Sequence, residues 1–212
     1  MEGIKLVIFD LDGTLVDAYK AIVKSVNFSL AALGYPTKRA LDIKRSVGWG
    51  EAGLFEPQVA KRDLKKIINI YRRNHAKSLL KYSRALPGTM KVLKYLKKNK
   101  YKLAIASNRP TKYCRIILKH LDLERYFNVV LCADKLKHIK PHPQILFRIM
   151  KRFRCTPFQT VYVGDMVIDV QAGKRAGVRT IIVPTGSSSK KDIIKEKPWK
   201  IIRSQVDLLN ML

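Results

Sequence analysis

Two acidic residues, Asp10 and Asp12, directly follow a short apolar run near the start of the chain. The run, residues 6–9, is rich in Val, Ile and Phe, and Gly13-Thr14 follows it, which predicts a buried strand that ends in a turn. Carboxylates at the end of a buried strand are costly to desolvate unless a cation or hydrogen bonds compensate. Because ligands of open α/β sheets bind beyond the carboxyl ends of the strands, this pair predicts a site that holds a divalent metal ion.

Three later predicted strands also end in polar residues that could serve such a site. Ser107 and Asn108 follow the strand at 102–106 and offer a hydroxyl and an amide. Lys140 lies between the next strand and its helix, and Asp165 and Asp169 follow the strand at 160–163. The spacing of four residues places Asp165 and Asp169 near one another at the start of the following helix.

Each of these residues also has a structural explanation when it is taken alone. Ser107 and Asp165 are residue types that cap helix N-termini, and a lysine such as Lys140 is ordinarily a surface residue. Together, however, four carboxylates, a hydroxyl, an amide and a lysine fall at corresponding strand ends. This coincidence indicates one site rather than several unrelated structural roles.

The segments between these residues predict an α/β fold. Helical patterns cover residues 17–33, 42–47 and 58–80, with a Gly-rich loop at 48–53 and no convincing strand between 34 and about 83. Beyond Pro87, strands at 102–106, 128–132, 160–163 and 179–183 alternate with short helices. This order predicts a doubly wound (Rossmann-like) parallel sheet with an inserted all-helical cap. We expect residues 1–15 and 87–212 to form the α/β core and residues 16–86 to form the cap.

The charge of the chain is strongly positive, because 43 Lys and Arg residues face only 16 Asp and Glu residues, a formal net charge of +27. Such an excess attracts anions, including phosphorylated metabolites and nucleic acid. The basic residues are spread over predicted helices and do not form one basic tail with interleaved aromatic residues. Solvated helix faces explain this spread, while a nucleic-acid-associated protein remains the alternative from another functional class.

The cysteines and the hydropathy of the chain argue against several classes of protein. Cys114, Cys132 and Cys155 are odd in number and far apart, which argues against a disulfide framework or a zinc site and predicts a reducing, cytoplasmic location. No apolar run approaches the length of a membrane span, and the first residues do not resemble a signal peptide. We expect a protein without a membrane span, either a monomer or a homodimer.

Four segments resemble, in order, the four sequence motifs of the haloacid dehalogenase superfamily: Asp10-Leu11-Asp12-Gly13-Thr14, Ser107-Asn108, Lys140-Pro141 and Gly164-Asp165-x-x-x-Asp169. The resemblance spans residues 4 to about 186, and the helical insertion lies where this superfamily places its first type of cap. Val47-Gly48-Trp49-Gly50 is similar to the cap loop of phosphoglycolate phosphatase-like members.

The resemblance implies roles for the acidic residues. Asp10 would be the nucleophile that forms an aspartyl-phosphate, and Asp12 would protonate the leaving alcohol and then deprotonate water. Mg²⁺ would be held by Asp10, the main-chain carbonyl of Asp12 and Asp165, with Asp169 as a ligand or behind the ligands. Such an all-oxygen site also suits Mn²⁺ or Co²⁺.

The resemblance also implies a phosphate-binding group. Thr14, Ser107 and Asn108 would donate hydrogen bonds to the phosphoryl oxygens. Lys140 would neutralise both the phosphate and the cluster of acids. The implied partner is therefore a small anionic phosphorylated substrate.

Departures from related patterns narrow the activity that the resemblance implies. Haloacid hydrolysis dispenses with an acid at the position of Asp12, and phosphonate cleavage requires a cap lysine in a motif that this chain lacks. The sugar-phosphate mutases often have Val at the position of Thr14 and a histidine in the first cap helix, which here has none. The pattern favours a phosphatase acting on a small phosphomonoester, with 2-phosphoglycolate as the leading candidate. A β-phosphoglucomutase-like phosphotransferase or a pyrophosphatase is the alternative, and an inactive scaffold is disfavoured because every expected catalytic side chain is present.

The cap is expected to close over the site and exclude water. Its hinges are predicted near residues 15–17 and 84–88. The candidate specificity residues of the cap are Arg45, Trp49 and Glu51, although the glycines around Trp49 could equally serve only to form a turn.

Overall fold

A computed structural model describes residues 3–56 and 58–212 of the chain. Its central sheet has six parallel strands in the order β5-β4-β1-β6-β7-β8. These strands span Leu6–Phe9 (β1), Lys102–Ser107 (β4), Val129–Cys132 (β5), Thr160–Gly164 (β6), Arg179–Ile182 (β7) and Lys200–Ile201 (β8). The predicted doubly wound α/β fold is confirmed.

Helices cover both faces of the sheet. The helices that pack on the sheet follow the inserted segment in the chain. They are Thr89–Lys98 (α5), Thr111–His120 (α6), Gln144–Phe153 (α7), Val167–Arg175 (α8) and Lys190–Lys195 (α9). Alternate residues of β1 enter opposite cores, because Val7 and Phe9 pack on the side of α5 and α6 while Leu6 and Ile8 pack on the side of α7. Burial on both faces explains why the strand is apolar throughout rather than alternating.

The inserted segment is helical and has a hydrophobic core of its own. It contains Tyr19–Ala31 (α1), Ala40–Arg45 (α2), Gly50–Gly53 (α3) and Leu64–Tyr82 (α4). Helix α1 packs against α4, and Ile22, Val26, Ile67 and Tyr71 are among the residues buried between the helices. These four helices are called the cap below.

Two short strands join the cap to the core. Val16–Asp17 (β2) and Arg84–Ala85 (β3) pair antiparallel, at the two places where hinges are predicted. The Gly-rich loop predicted at 48–53 contains the single turn of α3, and α4 starts at Leu64 after a 3₁₀ turn rather than at residue 58. Among the described residues, no helix is long and apolar enough to cross a bilayer.

The sheet order creates a crevice beside β1. Strand β4 lies on one side of β1 and β6 on the other. The chain therefore adds β4 and β5 on one side of β1 and then returns to add β6, β7 and β8 on the other. Such a change of direction opens a cleft at the carboxyl ends of the strands, where ligands of open α/β sheets bind. Five of the residues singled out in the sequence line a pocket here: Asp10, Asp12, Ser107, Asn108 and Lys140. Asp165 and Asp169 lie close to Asp10.

Candidate active site

Asp10 stands at the carboxyl end of the central strand and is buried. Its main-chain N–H donates to the carbonyl of Val163 at 2.8 Å, which continues the pairing of β1 with β6. One carboxylate oxygen, Oδ1, accepts a hydrogen bond from Lys140 Nζ at 2.8 Å. The strand therefore fixes the backbone of Asp10, and the lysine fixes its side chain.

Lys140 is almost fully buried and connects two of the acids. Its Nζ donates to Asp10, to Asp169 Oδ1 at 2.9 Å and to the hydroxyl of Tyr162 at 2.9 Å. All three ammonium hydrogens thus have acceptors. Burial alone would lower the pKa of Lys140, but Asp10 and Asp169 raise it above its ordinary value, so the lysine is charged.

Asp169 has both carboxylate oxygens occupied by hydrogen bonds. Oδ1 accepts from Lys140 and, at 2.6 Å, from the hydroxyl of Tyr162. Oδ2 accepts from the main-chain N–H groups of Asp165 and Met166 at 3.1 and 3.0 Å. Asp169 therefore shapes the turn into α8 in addition to contacting the lysine.

Asp165 differs from Asp169 because one of its oxygens is unsatisfied. Oδ1 accepts from Thr14 Oγ1 at 2.9 Å, whereas the buried Oδ2 has no hydrogen-bond partner among the described residues. Gly13 leaves open the space in front of this oxygen, since a Cβ atom at Gly13 would collide with Oδ2. Burial, together with Asp10 and Asp169, raises the pKa of Asp165 well above its ordinary value.

The three acids Asp10, Asp165 and Asp169 form one buried cluster. One oxygen of each lies within 4.8 Å of one oxygen of the others. Burial raises the pKa of Asp10 to about 6, although Lys140 opposes the rise. With all three carboxylates ionised, a single ammonium would leave a formal charge of −2 in this region, which a divalent cation would neutralise.

Asn108 holds the lysine loop against both the strand and the cap. Its Oδ1 accepts from the main-chain N–H of Lys140 at 2.9 Å, and its Nδ2 donates to the carbonyls of Lys140 and Gly48 at 2.9 and 2.8 Å. The Asn108 side chain thus joins the main chain of Lys140 in the core to that of Gly48 in the cap. Ser107, which is buried, accepts from the main-chain N–H of Arg109 at 3.2 Å. The binding of phosphate by Thr14, Ser107 and Asn108 stays a prediction.

Asp12 lies apart from the acidic cluster and is paired with Arg109. Nε and Nη2 of Arg109 donate to its two oxygens at 2.7 and 2.8 Å. Arg109 is buried, and burial alone would lower its pKa, but Asp12 raises it above the ordinary value. Sequence reasoning missed Arg109, although its position directly after Ser107-Asn108 offered a signal.

A pocket between the cap and the core brings these groups together. Its polar and charged lining consists of Asp10, Asp12, Glu51, Ser107, Asn108, Arg109 and Lys140. Of the three predicted cap residues, Glu51 lines the pocket, whereas Arg45 and Trp49 are exposed and lie outside its lining. Glu51 Oε2 is paired with Arg72, and its buried Oε1 has no partner within the described part of the chain.

Comparison with known proteins identifies the family of this chain and several of its relatives. The family model described as haloacid dehalogenase-like hydrolase matches residues 7–183. A phosphoglycolate phosphatase of Pseudomonas syringae pv. tomato is 31% identical over 211 residues, which cover 93% of this chain and 76% of that protein. A phosphoglycolate phosphatase of Aquifex aeolicus is 27% identical over 94% of this chain and 95% of its own length.

A solved structure is similar over its whole length. The crystal structure of a predicted phosphoglycolate phosphatase from Haemophilus somnus has a TM-score of 0.95 and is 27% identical. The alignment covers 100% of this chain and 99% of that one. The similarity therefore extends over the cap as well as the sheet.

Proposed function

Because this chain belongs to the haloacid dehalogenase-like hydrolases and is a phosphatase, we propose that it hydrolyses a small phosphomonoester with the help of Mg²⁺. In this proposal Asp10 is the nucleophile, and the reaction passes through an aspartyl-phosphate. The observation that carries the proposal is the buried group of Asp10, Asp165, Asp169 and Lys140 at the carboxyl ends of β1 and β6.

The residues present fit a divalent cation. Asp165 Oδ2 is buried without a partner in the described residues, and Gly13 keeps the space beside it free. An unsatisfied buried carboxylate oxygen is costly unless a cation completes it. Asp10, Asp165 and the main-chain carbonyl of Asp12 would hold Mg²⁺, with Asp169 behind them or as a further ligand. Bound there, the ion would neutralise the acids and the phosphoryl oxygens.

Lys140 and Asp10 would perform the first step together. The hydrogen bond from Lys140 holds Oδ1 of Asp10 in place. An oxygen of Asp10 forms a bond to phosphorus as the bond between phosphorus and the leaving alkoxide breaks. The buried positive charge of Lys140 stabilises the negative charge on the phosphoryl group.

Asp12 would handle the protons in both steps. It donates a proton to the leaving alkoxide oxygen, and the resulting carboxylate then removes a proton from water that attacks the aspartyl-phosphate. That attack breaks the bond between Asp10 and phosphorus and releases inorganic phosphate. Asp12 is two residues from the nucleophile and lines the same pocket, which supports this division of labour.

The first substrate to test is 2-phosphoglycolate. Its support comes from the names of the relatives that match over most of the chain. Glu51 bears on this substrate, because its carboxylate lines the pocket and would repel the carboxylate that 2-phosphoglycolate carries beside its phosphate. The pairing of Glu51 with Arg72 reduces this repulsion.

The test is phosphate release from a panel of 2-phosphoglycolate, sugar phosphates, nucleotides, pyrophosphate and p-nitrophenyl phosphate. We expect turnover with Mg²⁺, none with EDTA and none with Asp10→Asn. Asp122→Asn changes an exposed aspartate and is the matched control that keeps full activity. A folded, Mg²⁺-loaded wild type that turns over nothing in the panel contradicts the proposal.

A further inference from the structure

Arg109 holds the carboxylate of Asp12 by both oxygens in a buried setting. The two hydrogen bonds measure 2.7 and 2.8 Å, and the side chains of the pair are only 7% and 13% exposed. A planar guanidinium that binds both oxygens fixes the rotation of the carboxylate as well as its position. Arg109 therefore sets the orientation of Asp12 in this structure.

The third nitrogen of the same guanidinium contacts the cap. Nη1 of Arg109 lies 2.7 Å from Nε2 of His75, a buried residue of α4. A guanidinium can only donate, so Nε2 of His75 accepts and its Nδ1 carries the hydrogen. Burial and the charge of Arg109 lower the pKa of His75 to about 2, which keeps the ring neutral and able to accept.

The position of His75 is itself fixed by the cap. Its Nδ1–H donates to Ser25 Oγ at 3.0 Å, and Ser25 donates to the carbonyl of Ala21 at 2.9 Å. The ring stacks on Tyr71 with 4.4 Å between centroids. A continuous series of hydrogen bonds therefore runs from α1 through α4 to Asp12 in the core.

We propose that Arg109 is a positioning residue that orients Asp12 for proton transfer and that His75 of the cap aims it. Asp12 is ionised while both of its oxygens accept from Arg109, so it first takes up a proton from solvent. It then turns the protonated oxygen to the leaving group, while the other oxygen stays on the guanidinium. The proton that it later removes from the attacking water restores the acid for the next turnover. Because His75 holds the guanidinium from the cap side, Asp12 is correctly oriented only when the cap is seated. The inference rests on the role of Asp12 in the proposed function.

The test compares two leaving groups in the same variants. The p-nitrophenolate ion leaves p-nitrophenyl phosphate without a proton, whereas the alkoxide of 2-phosphoglycolate, or of the best alkyl ester in the panel, needs one. General acid catalysis contributes about 10²–10⁴-fold, so Arg109→Gln should lower the single-turnover rate constant for alcohol release from the alkyl ester by about 10–100-fold. It should lower the single-turnover rate constant for p-nitrophenolate release by less than about 5-fold. Single turnovers are compared because Asp12 also activates the water of the second step, so kcat falls for both substrates. Asp12→Asn sets the upper limit of this selectivity.

Two histidine variants isolate the contribution of the cap. Gln carries an acceptor near the position of Nε2, so His75→Gln should keep the wild-type ratio of the two rates. His75→Leu removes the acceptor and should reduce the alkyl ester rate selectively, as Arg109→Gln does. Arg115→Gln, on an exposed arginine of α6, is the matched control. Arg109→Lys keeps the charge without two-point binding and should give an intermediate ratio.

The outcomes separate the two proposals. A wild type that turns over neither substrate refutes the phosphatase mechanism itself. An active wild type whose Arg109→Gln variant loses both single-turnover rates of leaving-group release equally, or neither, refutes the positioning role. If urea titration shows that Arg109→Gln is unfolded, the Arg109→Lys and His75 variants provide the same comparison of the two leaving groups. Equal ratios for His75→Leu and His75→Gln would overturn the link to the cap.

Discussion

Replacing Asp10 by Asn should stabilise the metal-free protein while it abolishes catalysis. Burial raises the pKa of Asp10 from 3.8 to about 6, so the folded state holds this proton more tightly than the unfolded chain. The resulting contribution to folding is complete below the unfolded pKa and is lost as the pH rises through the folded one. Above pH 6 the wild type keeps an ionised carboxylate in a buried, acidic cluster, whereas Asn stays neutral.

The size of the effect follows from the size of the pKa rise. A change from 3.8 to about 6 corresponds to about 3 kcal/mol of unfolding free energy at pH 8 and to about half as much at pH 5. Asn keeps an oxygen that can accept from Lys140, so the hydrogen bond at 2.8 Å need not be lost. The advantage of the variant should therefore grow with pH over this range.

Urea unfolding in EDTA at several pH values between 5 and 8 measures this difference. Asp122→Asn, an exposed residue whose pair with Arg125 is on the surface, should change stability by less than about 1 kcal/mol at every pH. Mg²⁺ should then stabilise the wild type more than Asp10→Asn. An Asp10→Asn protein that is less stable than the wild type at pH 8, or whose advantage does not grow with pH, would show that burial does not dominate at this carboxylate.

Three further changes test the surroundings of the cluster. Lys140→Met leaves the buried acids without their cation and should lower the unfolding free energy by about 3–5 kcal/mol in EDTA, with partial recovery in Mg²⁺, as followed by urea titration. Gly13→Ala should weaken the stabilisation by Mg²⁺, because its Cβ enters the space beside Asp165 Oδ2; Gly34→Ala has a similar positive φ but open surroundings and should leave the Mg²⁺-induced shift in Tm unchanged. Glu51→Gln should raise kcat/KM for 2-phosphoglycolate by up to about tenfold, which corresponds to about 1.4 kcal/mol of relieved repulsion between like charges in the pocket. A fall for that substrate would instead mean that Glu51 binds it.

Most of the fold could be predicted from the sequence because buried parallel strands and their helices carry strong local patterns. The resemblance to the haloacid dehalogenase superfamily, which rested on four short motifs, is confirmed by a family model over residues 7–183. The sixth strand was missed, since Lys200–Ile201 is a two-residue edge strand with no apolar run. The short helix Gly50–Gly53 was missed because two glycines in a four-residue segment indicate a loop.

Some contacts of the site could likewise be predicted from local sequence patterns, whereas others depend on long-range packing. The approach of Asp10 to Asp165 could be predicted, since both follow parallel strands whose carboxyl ends share one edge of the sheet. The contact between His75 and Arg109 could not, because it joins the cap to the core over 34 residues of sequence. Tyr162 was hidden for another reason: inside a buried strand its hydroxyl looks like part of an apolar run.

In the proposed mechanism the two acids at the end of β1 carry out different tasks, and the fold pairs them with different cations. Asp10 shares one ammonium with Asp169, while the nearby Asp165 keeps an oxygen without a partner in the described residues, so this side of the site retains excess negative charge. Asp12 has a guanidinium to itself, and the pair is neutral without any further ion. A divalent cation would therefore be drawn to the side chain of Asp10 rather than to that of Asp12. Two residues of the same type can then serve as nucleophile and as acid and base within one pocket, because Lys140 and Arg109 set their surroundings apart.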